Sequence, residues 1–202
     1  FRRVLFRSGI DAFAHLVRDK EVDAELLKMI KDRPNFYVIP NLPPNPDAAT
    51  DWAFIGETVP AGEIQKQKDA AAKMTPEATE KARAFYKLQA GNLAKLNAAG
   101  VKIALGTDSS ELVGWTIHTE LADMVTAGMT PAQALNAATK TAADVLKIDD
   151  MGAIAPGKSA SFDVLNANPL DDIKNTAKIA DVYIRGKRLD RAAMRAAWTG
   201  GK

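Results

Sequence analysis

Between Val101 and Ser110 the sequence changes character once, and that change constrains the fold more than any other feature. Val101-Lys102-Ile103-Ala104-Leu105 is short, apolar and rich in β-branched residues, which predicts a strand buried on both faces, as in a parallel sheet. The run stops at Gly106 and gives way to Thr107, Asp108, Ser109 and Ser110, which a buried strand interior does not accept unpaired. A carboxylate at the C-terminal end of a parallel strand stands where α/β barrels and doubly wound sheets place their chemistry. Asp108 is therefore a candidate working residue. Capping of the next helix or bracing of a loop is the alternative, and this stretch alone leaves both open.

The flanking sequence repeats the pattern. Gly9-Ile10-Asp11-Ala12-Phe13-Ala14-His15 reads as a short strand ending in a histidine. Asp23 precedes an amphipathic helix with Leu26, Leu27 and Ile30 on one face, and Pro34 lies beyond its end. Phe36-Tyr37-Val38-Ile39-Pro40 is the next strand, so strand, helix and strand form a parallel βαβ unit. Residues 41–74 break the rhythm, and a stretch of that length is functional or holds small elements of its own. It leaves from a strand end and is placed to fold over a site there, with Trp52 pinning it or touching substrate. Thr75-Pro76 opens a helix to about Ala99, with Ala82, Phe85, Leu88, Leu93 and Leu96 as contacts and Gly100 as its stop. A helix from Thr116 places Ile117, Leu121, Met124 and Val125 at helical spacing and ends at Gly128. Thr130-Pro131-Ala132-Gln133 has capping-box form, and a short helix with Val145 and Leu146 follows.

After Asp149 the chain turns to antiparallel β structure. Phe162–Leu165 and the alternating Ala180–Arg185 read as strands, with a tight turn at Gly186-Lys187 into Arg188-Leu189. So small a unit needs partners from elsewhere in the chain. At 202 residues, 47% hydrophobic and 26% charged, the chain has ordinary globular composition and length for a sizeable core. A net charge of +2 with interleaved signs gives no footprint for nucleic acid or an acidic membrane. With no cysteine there is no disulfide and no thiolate ligand or nucleophile, and no apolar run approaches the ~20 residues of a membrane span. Residues 1–8 open without Met, fit no signal peptide and read as a non-native leader joined to an interrupted frame.

The chain has two histidines, His15 and His118. Imidazole and carboxylate form a normal ligand pair for zinc, iron or manganese, although a catalytic zinc usually takes three protein ligands. Spacing alone favours a hydrogen-bonded histidine at position 15 over a ligand.

Here the sequence resembles a known family. Gly9–His15 and Leu105-Gly106-Thr107-Asp108-Ser109 are similar to the sixth and eighth strand motifs of the amidohydrolase superfamily, in its imidazolonepropionase-like branch, which includes enzymes acting on Xaa-Pro dipeptides. His118-Thr119-Glu120-Leu121, Ala127–Pro131, Ala134–Thr139, Gly152–Lys158 and Asn168–Ile173 follow in the family's order, so the likeness covers residues 9 to about 190. The resemblance implies an α/β fold: residues 9–147 as the last strands and helices of a TIM-like (β/α)8 barrel, and residues 148–202 as part of a small composite β-sandwich and tail. It implies His15 as a metal ligand, Asp108 as metal ligand and general base, and His118 as a substrate contact or an ordering residue near the barrel mouth. It implies a divalent metal, most simply zinc, as one or two ions whose remaining ligands lie upstream. The activity implied is hydrolysis of an amide or other non-aromatic C–N bond in a dipeptide or cyclic amide, in a protein that can form a homo-oligomer. The chain alone, without those ligands, is expected to be inactive. Ser161, Asp163 and Asn166 depart from the family pattern, implying a shifted or weakened strand. One rival is a metal-free scaffold or assembly protein on the same fold. Another is a doubly wound phosphate-binding enzyme using Gly106–Ser110, which lacks a glycine-rich fingerprint. Localisation stays open between cytoplasm and secretion.

Overall fold

The structure, a computed structural model, describes residues 9–109 and 114–199. Residues 1–8, read from the sequence as a leader, and Ser110 lie outside the described residues. In chain order the elements are β1 (Ala12–Ala14), α1 (Ala24–Lys31), β2 (Tyr37–Ile39), α2 (Trp52–Ile55), α3 (Ala61–Ala72), α4 (Pro76–Ala98) and β3 (Lys102–Ile103). They continue with α5 (Trp115–Thr126), α6 (Pro131–Ala138), α7 (Lys140–Leu146), β4 (Phe162–Leu165), a 3-10 helix (Ile173–Ala177), β5 (Ile179–Ile184), β6 (Lys187–Arg188) and α8 (Arg191–Thr199).

Strands β1, β2 and β3 form a parallel sheet in that order, with Phe13 opposite Val38 and Val38 opposite Ile103. These three side chains share one core with Leu93 and Leu96 of α4 and Leu121 and Met124 of α5. The α/β architecture expected from the βαβ rhythm is present. Local signals also set the helix starts. Asp23 caps α1 through Leu26 N–H, Thr75 caps α4 through Ala78 N–H with Pro76 in the first turn, and Thr130 and Gln133 close a reciprocal capping box on α6. Gly100 and Gly128, at φ +74° and +100°, follow the ends of α4 and α5 in the left-handed region that glycine enters without cost.

Several expectations are corrected. β3 is not buried on both faces: Ile103 is buried, but Lys102 is exposed and reaches Asn35 Oδ1 at 3.1 Å. The Lys102 ammonium also lies 5.3 Å from the Tyr37 ring centre, so the outward position carries a solvated charge with two surface partners. Residues 41–74 hold small elements of their own, α2 and α3, one of the two alternatives the sequence offered. Trp52 opens α2 half-buried, with the Lys68 ammonium 5.2 Å from its ring centre, which is a pinning contact. Phe85, expected as an apolar contact of its helix, is exposed, as are Ile117 and Leu146. The inner face of α4 instead carries Tyr86, Gln89 and Asn92 beside Leu93 and Leu96.

β4, β5 and β6 form a separate antiparallel sheet. Phe162 pairs with Tyr183 and stacks on it at 4.8 Å, and Val164 pairs with Asp181. The tight turn sits one residue earlier than expected, at Arg185-Gly186 with φ +50° and +78°, because Lys187 already pairs with Ile184. Asp163 is exposed and pairs with Val182, so its charge occupies no apolar position.

Candidate functional site

All three parallel strands lead, at their C-terminal ends, into non-glycine residues in the left-handed region: His15 (φ +67°), Asn41 (φ +47°) and Asp108 (φ +51°). These are the residue types that tolerate it best, yet each conformation is strained by roughly 1–2 kcal/mol. Such strain concentrates where function over-determines the backbone. Two of the three are the residues singled out from the sequence.

β2 lies between the strands that carry His15 and Asp108, so the two are not on neighbouring strands, but their side chains still meet. His15 Nε2 is 3.6 Å from Asp108 Oδ2, with side-chain exposures of 29% and 65%. Arg18 donates to His15 Nδ1 at 2.7 Å, so that nitrogen is the acceptor and the ring proton of Nε2 faces Asp108. The His15 amide donates to Ile39 O at 2.8 Å, continuing the ladder to the histidine itself. Gly106 is required by crowding: a Cβ there would stand 2.5 Å from Ile39 Cγ2 and 2.7 Å from Asn41 Oδ1. Asn41 is buried, and its Oδ1 has no hydrogen-bond partner.

Beside this pair opens a cavity of about 380 Å³, bordered by Thr107, Asp108 and Ser109, by the segment from Leu42 to Thr50, and by Trp115, Glu120 and Asp123 of α5. Glu120 is 4% exposed, and its two oxygens accept from the Leu42 amide at 3.1 and 3.2 Å. Burial pushes its carboxyl up to about 8. Asp123 accepts from the Tyr86 hydroxyl at 3.2 Å and bonds the Asn45 side chain, and burial raises it to about 6. Burial, and after it the Asp123 charge, raises the Tyr86 hydroxyl.

His118 does not join the cavity lining. Its Nδ1 is 3.0 Å from Thr176 Oγ1, and its ring meets Phe54 edge-on at 5.1 Å. Thr176 directs its own proton to Ile173 O, so His118 is the donor of that pair. Burial lowers its pKa, opposed by the Asp163 charge. These contacts join α5 to α2 and to the 3-10 helix.

Glu120, Asp123, Tyr86 and Asn41 were not singled out from the sequence. Two acidic residues three apart on α5, with apolar Leu121 and Met124 beside them, share one helix face, and nothing in that pattern alone separates a buried pair from a solvated one.

Imidazole and carboxylate brought within 3.6 Å suit a divalent transition metal, and His15 and Asp108 fit it as part of a ligand set. Among the described residues no group of three or more His, Cys, Asp or Glu could hold an ion. Nor is any described helix long and apolar enough to cross a membrane.

Comparison with known proteins gives this arrangement a lineage. The sequence pattern of the Amidohydrolase family matches residues 62–189. The chain belongs to the amidohydrolase family. An imidazolonepropionase of Deinococcus deserti is 36% identical over 98 residues, covering 45% of this chain and 24% of that protein. The crystal structure of a Xaa-Pro dipeptidase with methionine bound in its active site superposes on 93% of this chain and 41% of its own, with a TM-score of 0.64 and 25% identity. Molinate hydrolase shares the fold at a TM-score of 0.67 and 20% identity, over 95% of this chain and 41% of its own. The amidohydrolase chain thus spans about a quarter of the curated relative's length and about two fifths of these solved structures.

Proposed function

We propose that the protein carrying this chain is a metal-dependent hydrolase of an amide or other non-aromatic C–N bond, with a dipeptide or cyclic amide as substrate. The observation that carries the reading is the meeting of the His15 and Asp108 side chains, from strands on either side of β2, in an amidohydrolase chain. In this reading β1, β2 and β3 are the last strands of a (β/α)8 barrel within residues 9–147, and residues 148–202 contribute to a composite β-sandwich. The likeness to an imidazolonepropionase and a Xaa-Pro dipeptidase supports a C–N bond as the target.

His15 and Asp108 would hold the ion, zinc being the simplest choice, together with ligands from elsewhere in the protein. A bound divalent ion supplies a water whose pKa falls toward ~7. Asp108 would take a proton from attacking water and return it to the leaving amine, a role that its exposure and its position on the cavity border support. His15 must free Nε2 to act as a ligand, which moves its proton to Nδ1 and displaces the Arg18 contact there. Arg18 therefore holds the imidazole in its metal-free tautomer.

The test is metal analysis of the purified whole protein, with hydrolysis assayed on Xaa-Pro dipeptides and cyclic amides. Asp108→Asn is expected to lower kcat by ~10²–10⁴-fold, and His15→Ala to lower bound metal. A whole protein that retains no metal and hydrolyses none of these substrates overturns the reading and puts the scaffold role in its place.

A further inference from the structure

Glu120 is the buried acid that the proposed chemistry leaves unused. Its carboxyl oxygens share one backbone donor, the Leu42 amide, across a separation of 78 residues. One N–H is small return for burying an ionisable group, so the contact must hold something in place that packing alone does not. Leu42 follows Asn41, whose left-handed backbone ends β2 and whose buried side chain lies against Gly106. Gly106 stands two residues before Asp108. One turn along α5, Asp123 grips Asn45, so two carboxyls three residues apart hold the segment after β2 at two points three residues apart.

We infer that Glu120 is a positioning residue for Asp108: by holding Leu42 it seats the Asn41 turn against Gly106 and so sets the place of the Asp108 carboxylate beside His15. The functional importance of this placement rests on the proposed role of Asp108, but the placement itself can be read without activity. Glu120→Met fills the same space and removes the acceptor, whereas Glu120→Gln keeps an acceptor for the Leu42 amide. In the whole protein, with ring signals assigned through His15→Gln and His118→Gln, imidazole NMR is the readout. Glu120→Met is expected to shift the His15 signals and leave those of His118 in place, and Glu120→Gln to keep both at their original positions. On a hydrolysed substrate, Glu120→Met should lower kcat by about tenfold or more with KM nearly unchanged, and Glu120→Gln should restore it. Unmoved His15 signals, both rings moving together, a Glu120→Gln as damaging as Glu120→Met, or loss of the fold in Glu120→Met would each overturn the inference. If the unaltered protein hydrolyses nothing, the proposed function fails on its own while the NMR comparison still decides the positioning.

Discussion

Between pH 4.5 and about 8, Glu120 holds a proton in the folded chain that it gives up on unfolding, because burial raises its carboxyl. A group whose folded pKa is raised stabilises the fold fully below its unfolded value and loses that contribution as pH rises through the folded one. Asp123 acts in the same direction between 3.8 and about 6. His118, whose pKa is lowered, acts in the opposite direction on the acid side. Comparing Glu120→Gln with the unaltered chain isolates the first term. The variant should gain relative stability from pH 5 to pH 8, by on the order of a few kcal/mol, measured as a widening difference between thermal unfolding curves. At this scale the sequence showed His15 and Asp108 because one is rare in the chain and the other follows a strand-ending glycine. Glu120 and Asp123 look like any solvated acidic pair on a helix until the loop that covers them is in place.

Helix α4 shows what the element scale adds. Its start was legible because Thr75 and Pro76 act on their own first turn, and the capping box on α6 was legible for the same reason. Its buried face was only partly so. Asn92, fully buried, donates to Val17 O and Lys20 O at 2.9 Å and accepts from the Val22 amide at 2.7 Å, fastening the segment that follows His15. Apolar periodicity cannot register an amide that belongs in the core. Replacing it with Leu strands two buried backbone groups, Val22 N–H and Val17 O, and frees a part-buried third, so Asn92→Leu should cost on the order of 3 kcal/mol and speed hydrogen exchange at Val22. Phe85 and Ile117 show the converse, since both have helical spacing and both stay exposed.

At the scale of the whole molecule, the second sheet leaves an apolar face open to solvent in this chain. Phe162 and Val164 stand on one face of β4, 38% and 40% exposed. In the composite sandwich proposed above, that face is covered in the whole protein. Val164→Lys should then lower the whole protein's stability by about 2 kcal/mol or more, seen as a drop in Tm. A surface position would change it by no more than ~0.5 kcal/mol. Two histidines and a sheet of three strands cannot announce their own spatial order, and here β2 separates the strands of His15 and Asp108 without separating their side chains.

The amino-acid sequence by itself determined what depends on neighbouring residues: where helices begin and end, which runs extend as strands, and which residues stand at strand ends. Motif order added the family. Only the tertiary structure decided what depends on residues brought from far apart. It put Glu120 on the Leu42 amide, set Asn41 against Gly106, turned His118 toward Thr176 and Phe54, and left Lys102 in solvent. The physical reason is that capping and backbone preference act within a turn, whereas burial, and with it every shifted carboxyl here, is a property of the packed chain.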